Sequence, residues 1–169
     1  MNPFWSNIFR GSSDQDSLAY FLGTVAIFSK LKRRELNFLE NIVHVRNYKA
    51  DEIVFEEGDI GSGMYAIRSG QVKIYTRDEN GNEIEEAMLE AGDFFGEAAL
   101  TASRPRIASA RTTESCVLVG LFRSDLLDTV KKYPAISSRI LLGLARVISD
   151  RLHQNTLMLN DLKRQVDRS

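Results

Sequence analysis

The chain has 169 residues, a length typical of one domain with appended elements. Apolar residues make up 43% and charged residues 27%, which is the composition of a globular protein with enough apolar material for a core. The 22 basic and 23 acidic side chains leave a net charge of −1, which argues against direct binding to nucleic acid or to an acidic lipid surface.

The cysteine, histidine and hydropathy patterns exclude several further classes. Cys116 is the one cysteine, so no internal disulfide can form, and its place in the apolar run CVLVGLF predicts a buried structural thiol in a reducing compartment. His44 and His153 stand far apart, so no zinc cluster is indicated. The apolar segment 18–28 is shorter than the about 20 residues that cross a bilayer. We therefore expect a soluble, cytoplasmic protein without a membrane partner or cofactor.

The N-terminal third is predicted to be helical after a flexible start. Residues 1–15 end in a cluster of Gly, Ser, Asp and Gln, which predicts a flexible N-terminus. Residues 16–45 are assigned to N-terminal helices. The first has helical apolar spacing from Leu18 to Phe28, and the second is placed around 33–44.

The segment 46–123 changes to the period of short strands. The runs EIVFEEGD, MYAIRSG, QVKIYTRD and EEAMLEAGD each end in turn residues, and SARTTESCVLVGLF supplies two more strands. Asn80-Gly81 is typical of a tight hairpin. No long helix separates these strands, so the pattern favours a β-sandwich or barrel over a parallel dinucleotide-binding sheet.

The segment 124–166 is predicted to form C-terminal helices. Ser124 is the expected N-cap of a helix that ends before Pro134, and a long helix follows over 135–166. Along this helix a set of residues repeats in alternating steps of four and three, which we call the heptad seam: Leu141, Ala145, Ile148, Leu152, Asn155, Leu159, Leu162 and Val166.

Two interpretations of the heptad seam are open. The helix could lie on its own domain, or it could pair with the same helix of a second copy. The second interpretation is simpler, because the seam continues to the end of the chain with nothing after it to pack against. It predicts a homodimer through 135–166, in which Asn155 would fix the register at some cost in stability.

The stretch FGEAALTASRPRIASARTT, residues 95–113, combines small side chains with separated opposite charges. Small residues let backbone N–H groups approach an anion. Glu97 suits a sugar hydroxyl, and Arg106 after Pro105 suits a phosphate, with Arg104 as a rival cation. This set of groups, with backbone donors, one carboxylate and one cation, fits a ribose and a monoanionic phosphate held close together. The alternative is a plain Glu97–Arg106 ion pair among close-packed alanines.

These segments resemble the cyclic-nucleotide-binding domain family, which includes the catabolite activator protein and the regulatory subunit of protein kinase A. The resemblance covers about residues 20–160. It rests on FSKLKRREL, EIVFEEGDIGSGMYAIRSGQVKIY, the DENG hairpin, LEAGDFFGEAAL and RPRIASA. It implies an α+β, mainly β fold: an eight-stranded β-roll flanked by N-terminal helices and a long C-terminal helix.

The resemblance also implies a cyclic-nucleotide pocket. Glu97 would accept a hydrogen bond from the ribose 2′-hydroxyl beside the backbone of Gly96, and Arg106 would pair with the cyclic phosphate. The other residues implied near the nucleotide have three roles: backbone donors near the phosphate, from Ala98, Ala99 and Ile107; contacts along the base, from Val72 and Ile74; and contacts to the adenine from the long helix, by Asn155 and Thr156.

Two departures from the family pattern bear on which nucleotide would bind. Ile107 replaces a small or hydroxylated residue, and the lost hydroxyl, which favours guanine in some relatives, leans towards cyclic AMP over cyclic GMP. Glu86 stands where some bacterial members have an apolar contact to the base. If Glu86 faces inwards, it could accept from a purine amino group or from guanine N1; a register shift of one residue would turn it to solvent.

The predicted function is a stand-alone cyclic-nucleotide sensor that transmits ligand binding through its C-terminal helices to an unknown downstream protein. Seven residues follow Leu162, far fewer than a helix-turn-helix domain needs. No nucleophile–base pair is evident, so no enzymatic activity is expected. The alternatives are an interaction module that no longer binds nucleotide, and a split transcription regulator whose DNA-binding part lies on another chain.

Overall fold

The computed structural model describes residues 17–166, and the predicted flexible segment 1–15 lies outside the described residues. Two short helices come first, eight strands follow, and two helices end the fold. Their bounds are α1 Leu18–Thr24, α2 Arg33–Leu39, β1 His44–Tyr48, β2 Ile53–Phe55, β3 Gly63–Ser69, β4 Val72–Arg77, β5 Glu83–Leu89, β6 Phe94–Phe95, β7 Ser109–Thr112, β8 Cys116–Phe122, α3 Arg123–Lys132 and α4 Pro134–Val166.

The eight strands form two antiparallel sheets of four. One sheet has the order β1-β8-β3-β6, and the other has the order β2-β7-β4-β5. The apolar run of β8 lies between β1 and β3, so most of its side chains are buried. This two-sheet roll with a long C-terminal helix confirms the predicted fold class.

The structure contains two strands that the hydrophobic pattern did not predict. β1 spans His44–Tyr48, and four of its five residues are exposed, so it carries no alternation of apolar and polar side chains. Its first two residues, His44 and Val45, lie in the segment 16–45 assigned to the N-terminal helices. β6 has two residues, Phe94 and Phe95, too few for any periodicity. Both strands exist because a neighbouring strand supplies their hydrogen-bond partners.

Three helix boundaries also differ from the expectation, and one of them is the end of α2, which lies at Leu39 and not at residue 44. α1 ends at Thr24, not at Phe28, and residues 25–30 form turns in which Ile27 and Phe28 are still buried. The apolar spacing over residues 25–28 therefore indicates buried side chains and not a continuation of the helix. α3 begins at Arg123 with Phe122 as its N-cap, so the predicted cap Ser124 lies inside the first turn. The reason is that β8 runs directly into α3.

The core has two parts. The first packs the helices against the sheet that contains β3 and β8, and the second lies between the two sheets. Cys116 is buried in the second part, as predicted, and its thiol donates to the carbonyl oxygen of Gln71 at 3.1 Å. Burial raises the pKa of this thiol. No helix within residues 17–166 is long and apolar enough to cross a membrane.

The long helix α4 is packed only near its beginning. Its buried residues are Ser137, Ile140, Gly143 and Leu144. From Ile148 to Val166 every residue is exposed, including the whole later part of the heptad seam. The beginning of α4 is therefore fixed against the core, while the later turns extend away from it with an apolar stripe that no residue of the described range 17–166 covers.

A substitution at Gly143 tests how closely α4 approaches the core. An added Cβ would overlap the carbonyl oxygen of Ile27. Gly→Ala inside a helix ordinarily stabilises by roughly 0.5–1 kcal/mol, but Gly143→Ala should destabilise by about 1–3 kcal/mol, because α4 must shift. Urea unfolding measures this difference in the free energy of unfolding.

The exposed position Ser149 on the same helix provides the matched control. Ser149→Ala should leave the free energy of unfolding unchanged or slightly raised. Stabilisation by Gly143→Ala comparable with that of the control would contradict the close packing of α4.

Candidate ligand-binding site

A cavity of about 750 Å³ opens beside the sheet that contains β4 and β5. Its walls come from these two strands, from the segment 94–99, from the loop 102–108 and from one residue of α4, Arg151. The volume lies within the range of small-molecule sites, and the wall combines apolar side chains with a few charged groups.

The Arg106 guanidinium is held at this cavity by backbone carbonyl groups. Nη1 donates to the oxygen of Gly96 at 3.1 Å, and Nη2 donates to the oxygen of Gly63 at 2.7 Å. The guanidinium carbon lies 4.0 Å from the centre of the Phe55 ring, a cation–π contact. Two hydrogen bonds and one ring fix the plane of the guanidinium.

The charge of Arg106 is not neutralised by a direct ion pair. Burial lowers the pKa of its guanidinium, while the charges of Asp59 and Glu97 act in the opposite direction. Among residues 17–166 no carboxylate lies within ion-pair distance of this side chain. Because arginine keeps its proton at neutral pH, a fixed and half-buried positive charge faces the cavity. The alternative of a plain Glu97–Arg106 ion pair is therefore wrong.

The loop that carries Arg106 is anchored by the turn before β3. Pro105 pairs with Ile60 in an isolated antiparallel bridge. The Arg106 N–H donates to Asp59 at 2.8 Å, and the Arg106 carbonyl accepts from Gly58 at 2.9 Å. The backbone on both sides of the guanidinium is thus fixed. The rival cation Arg104 is exposed, although its side chain also reaches the cavity wall.

Gly96 lets the chain turn sharply and approach Arg106. Its φ of 76° lies in the left-handed region, and an added Cβ would come within 2.6 Å of Arg106 Nη1. A short 3₁₀ helix, Glu97–Leu100, follows directly. Within the described part of the chain, the N–H groups of Ala98 and Ile107 have no hydrogen-bond acceptor. Two N–H groups without an acceptor and one cation therefore belong to residues that line this part of the cavity.

Glu97 forms an ion pair that the sequence did not predict. Arg151 Nη1 of α4 donates to Glu97 Oε1. The Arg151 guanidinium also lies 4.9 Å from the centre of the Phe94 ring. The Glu97 side chain is 14% exposed and the Arg151 side chain is 47% exposed, so the carboxylate is sheltered while the guanidinium remains at the surface. The sequence gives no signal for it, since nothing distinguishes Arg151 from Arg146 on the same helix.

The structure places most of the predicted site residues on the cavity wall, and three elsewhere. Val72 is fully buried in the core between the sheets and does not reach the cavity. Asn155 and Thr156 lie on the exposed part of α4, which has already left the core. The residues that do line the cavity are Ile74, Gly96, Glu97, Ala98, Ala99, Arg106 and Ile107.

The sequence left open how Ile107 and Glu86 are placed relative to the cavity, and the structure gives the position of both. The Ile107 side chain is 90% exposed at the edge of the cavity, so its bulk does not close the site. Glu86 lines the cavity and accepts a hydrogen bond from the Thr76 hydroxyl at 2.8 Å. Glu86 is an exposed residue at the cavity wall, a position from which its carboxylate can contact a ligand.

Comparison of this chain with known proteins identifies its family. A family model described as "Cyclic nucleotide-binding domain" matches residues 45–133, more than half of the 169-residue chain. The chain belongs to the cyclic-nucleotide-binding domain family. The match covers all eight strands except the first residue of β1, and it includes every cavity residue except Arg151.

Individual relatives are similar over much of this chain. The cyclic AMP receptor protein of Thermus thermophilus is 30% identical over 134 residues, which is 79% of this chain and 60% of the relative. A cGMP-dependent protein kinase of Toxoplasma gondii is 37% identical over 110 residues, which is 65% of this chain and 10% of the relative. The solved catabolite activator protein of Thermus thermophilus has a TM-score of 0.73 at 30% identity, covering 82% of this chain and 63% of that chain. The chain thus spans less than two thirds of each.

Metal binding has no support in the described part of the chain. No group of three or more His, Cys, Asp or Glu side chains within residues 17–166 is arranged to hold a metal ion. The charged groups at the cavity are instead suited to an organic anion. Arg106 offers a charge to an oxyanion, and Glu97 offers an acceptor to a hydroxyl.

Proposed function

We propose that the protein is a cyclic-nucleotide sensor that binds cyclic AMP or cyclic GMP without catalysing a reaction on it. The observation that carries the proposal is Arg106, a fixed guanidinium without a carboxylate partner in the described chain, at a cavity of about 750 Å³. Family membership and similarity to a cyclic AMP receptor protein and a cGMP-dependent protein kinase support it.

Each part of a cyclic nucleotide has a matching group at the cavity. Arg106 and the N–H groups of Ala98 and Ile107 are donors for the cyclic phosphate. The carboxylate of Glu97 is an acceptor for the ribose 2′-hydroxyl. Apolar wall residues such as Ile74 and Leu89 offer a surface for the base. The open edge at Ile107 disfavours the alternative of an interaction module with a closed pocket.

Transmission through the C-terminal helices is supported by the Arg151–Glu97 ion pair. The carboxylate that would accept the ribose hydroxyl already binds a residue of α4. A bound nucleotide would therefore contact Glu97, whose position depends on Arg151 of α4. In return, the position of α4 would depend on whether a ribose is bound to Glu97. A ligand shifts such an equilibrium by the difference of its affinities for the two arrangements of the helix.

We further propose that the protein is a homodimer through α4. The later heptad seam is exposed throughout, and Leu152, Leu159 and Leu162 are each more than half exposed. A second copy of the helix would cover this stripe, and it could bring Asn155 and Thr156 to the base as the resemblance implies. The cytoplasmic location, the absence of direct DNA binding and the downstream protein remain predictions.

The assignment of Arg106 is tested by isothermal titration calorimetry with cyclic AMP and cyclic GMP. Arg106→Ala should weaken the binding of both nucleotides by about a hundredfold, because a charge-assisted bidentate contact to the phosphate is lost. Arg104→Ala, which removes the neighbouring cation of the same loop, should change affinity less than tenfold. Failure of the wild-type protein to bind either nucleotide would refute the proposed function, and an equal effect of the two variants would refute the role of Arg106.

The homodimer is tested by sedimentation velocity. Leu152→Glu puts a charge into the heptad seam and should convert dimer to monomer. Leu157→Glu is the matched control, because Leu157 is an exposed leucine on the opposite side of the helix from the seam. A wild-type protein that sediments as a monomer at tens of micromolar would contradict the dimer, as would equal effects of the two substitutions.

A further inference from the structure

We propose that Glu86, positioned by Thr76, recognises the base and makes a cyclic guanine nucleotide the preferred ligand over a cyclic adenine nucleotide. The inference rests on the proposed function, because it concerns the base of the nucleotide whose phosphate Arg106 would bind. It assigns a specificity-determining role to a residue that the phosphate and ribose contacts do not use.

A β-bulge turns Glu86 into the cavity. Along β4 and β5, Ile74 pairs with Ala87 and Tyr75 pairs with Glu85, so Glu86 is an extra residue without a partner. In a regular strand, consecutive side chains point to opposite faces. Here the consecutive residues Glu86 and Ala87 both line the cavity, because the bulge redirects one of them.

The Thr76 hydroxyl fixes the carboxylate. It lies on β4 beside the bulge, lines the same cavity and donates to Glu86 Oε1 at 2.8 Å. Within residues 17–166, no other side chain donates to the Glu86 carboxylate and no cation pairs with it. One hydrogen bond therefore restricts the rotation of the carboxylate while most of its acceptor capacity stays available to a ligand.

The other two carboxylates of β5, Glu83 and Glu85, show whether Glu86 is placed for ligand recognition or only contributes surface charge. β5 is the edge strand of its sheet, where charged side chains commonly prevent pairing with another chain. Glu83 is held by Lys73 and Arg111, each at 2.7 Å, and Glu85 does not line the cavity. Glu86 alone among the three faces the cavity without a cationic partner, so edge protection does not account for its orientation.

Arg106 and Glu86 lie on different walls of the cavity. Arg106 is held by Gly63 of β3 and by Gly96 next to β6, which belong to one sheet. Thr76 and Glu86 lie on β4 and β5, the last two strands of the other sheet. A nucleotide with its phosphate at Arg106 can therefore extend its base towards the carboxylate while its own negative charge stays on the other wall.

A carboxylate distinguishes the two purines by their hydrogen-bonding edges. Guanine presents two adjacent donors, N1–H and the 2-amino group, and an ionised carboxylate can accept both. Adenine presents the 6-amino donor next to the N1 acceptor, so a carboxylate gains one hydrogen bond and meets a lone pair. A matched bidentate contact discriminates between bases by roughly 5- to 150-fold.

The preference for guanine at Glu86 opposes the preference for cyclic AMP that Ile107 suggests. The contribution of Glu86 is the larger of the two. The Ile107 side chain lacks a hydroxyl, so guanine forgoes one neutral hydrogen bond there. Glu86 offers two hydrogen bonds to a charged acceptor, and each of these is stronger than a neutral one. The net effect of the two positions favours guanine.

Calorimetric titration of the intact chain with cyclic GMP, cyclic IMP and cyclic AMP tests the proposal. Hypoxanthine keeps N1–H and lacks the 2-amino group, so the wild-type affinities should fall in the order cyclic GMP, cyclic IMP, cyclic AMP. Glu86→Gln should reduce the ratio of cyclic GMP to cyclic AMP affinity about tenfold or more. Thr76→Val should reduce it by a smaller factor, and Thr76→Ser should restore it.

Glu85→Gln is the matched control, since it removes the neighbouring carboxylate of the same strand and should leave the ratio unchanged. If the wild-type protein binds nucleotide but Glu86→Gln leaves the ratio unaltered, the inference about the base is wrong and the proposed function stands. If the wild-type protein binds none of the three nucleotides, both are wrong. A melting temperature for each variant shows that it is folded.

Discussion

The Arg106 guanidinium is held by the carbonyl oxygens of Gly63 and Gly96, and the whole cavity is organised around this contact. It ties the loop 104–108 to β3 and to the end of β6, so the two β-sheet segments and the loop enclose one space. Both carbonyls belong to glycines, and an added Cβ would collide with Arg106 at Gly96 and with the Leu121 carbonyl at Gly63. Neutral dipoles hold the cation without cancelling its charge, which leaves it for an anionic ligand.

The helix α4 connects this cavity to the exposed apolar stripe. Its first turns are packed so closely that Gly143 touches the backbone of Ile27. About two turns later Arg151 binds Glu97, and the next residue, Leu152, already belongs to the exposed heptad seam. The contact to Glu97, the proposed ribose acceptor, and the proposed dimer stripe therefore lie on neighbouring residues of one helix, which would couple ligand binding to dimer formation.

Local patterns predicted six of the eight strands, the long helix and the pair Glu97 and Arg106, because alternation, turn residues and short motifs are readable from neighbours in the chain. Contacts across long separations in sequence were not predictable. Arg151 reaches Glu97 over 54 positions, and no periodicity encodes that meeting. Glu86 is the one residue of β5 that has no partner in its pairing with β4, and this bulge sets its orientation. A shift of one residue in register reverses which side chains of a strand face inwards. Val72 kept the predicted alternation but lies too deep in the core to reach a ligand.

A crystal structure with bound cyclic nucleotide tests most directly whether the fixed, unneutralised Arg106 binds the cyclic phosphate. We expect a guanidinium nitrogen of Arg106 to lie about 2.7–2.9 Å from a phosphate oxygen, with Gly63 and Gly96 still holding the side chain. A nucleotide bound in the cavity with its phosphate away from Arg106, or a phosphate held by Arg104 instead, would contradict it.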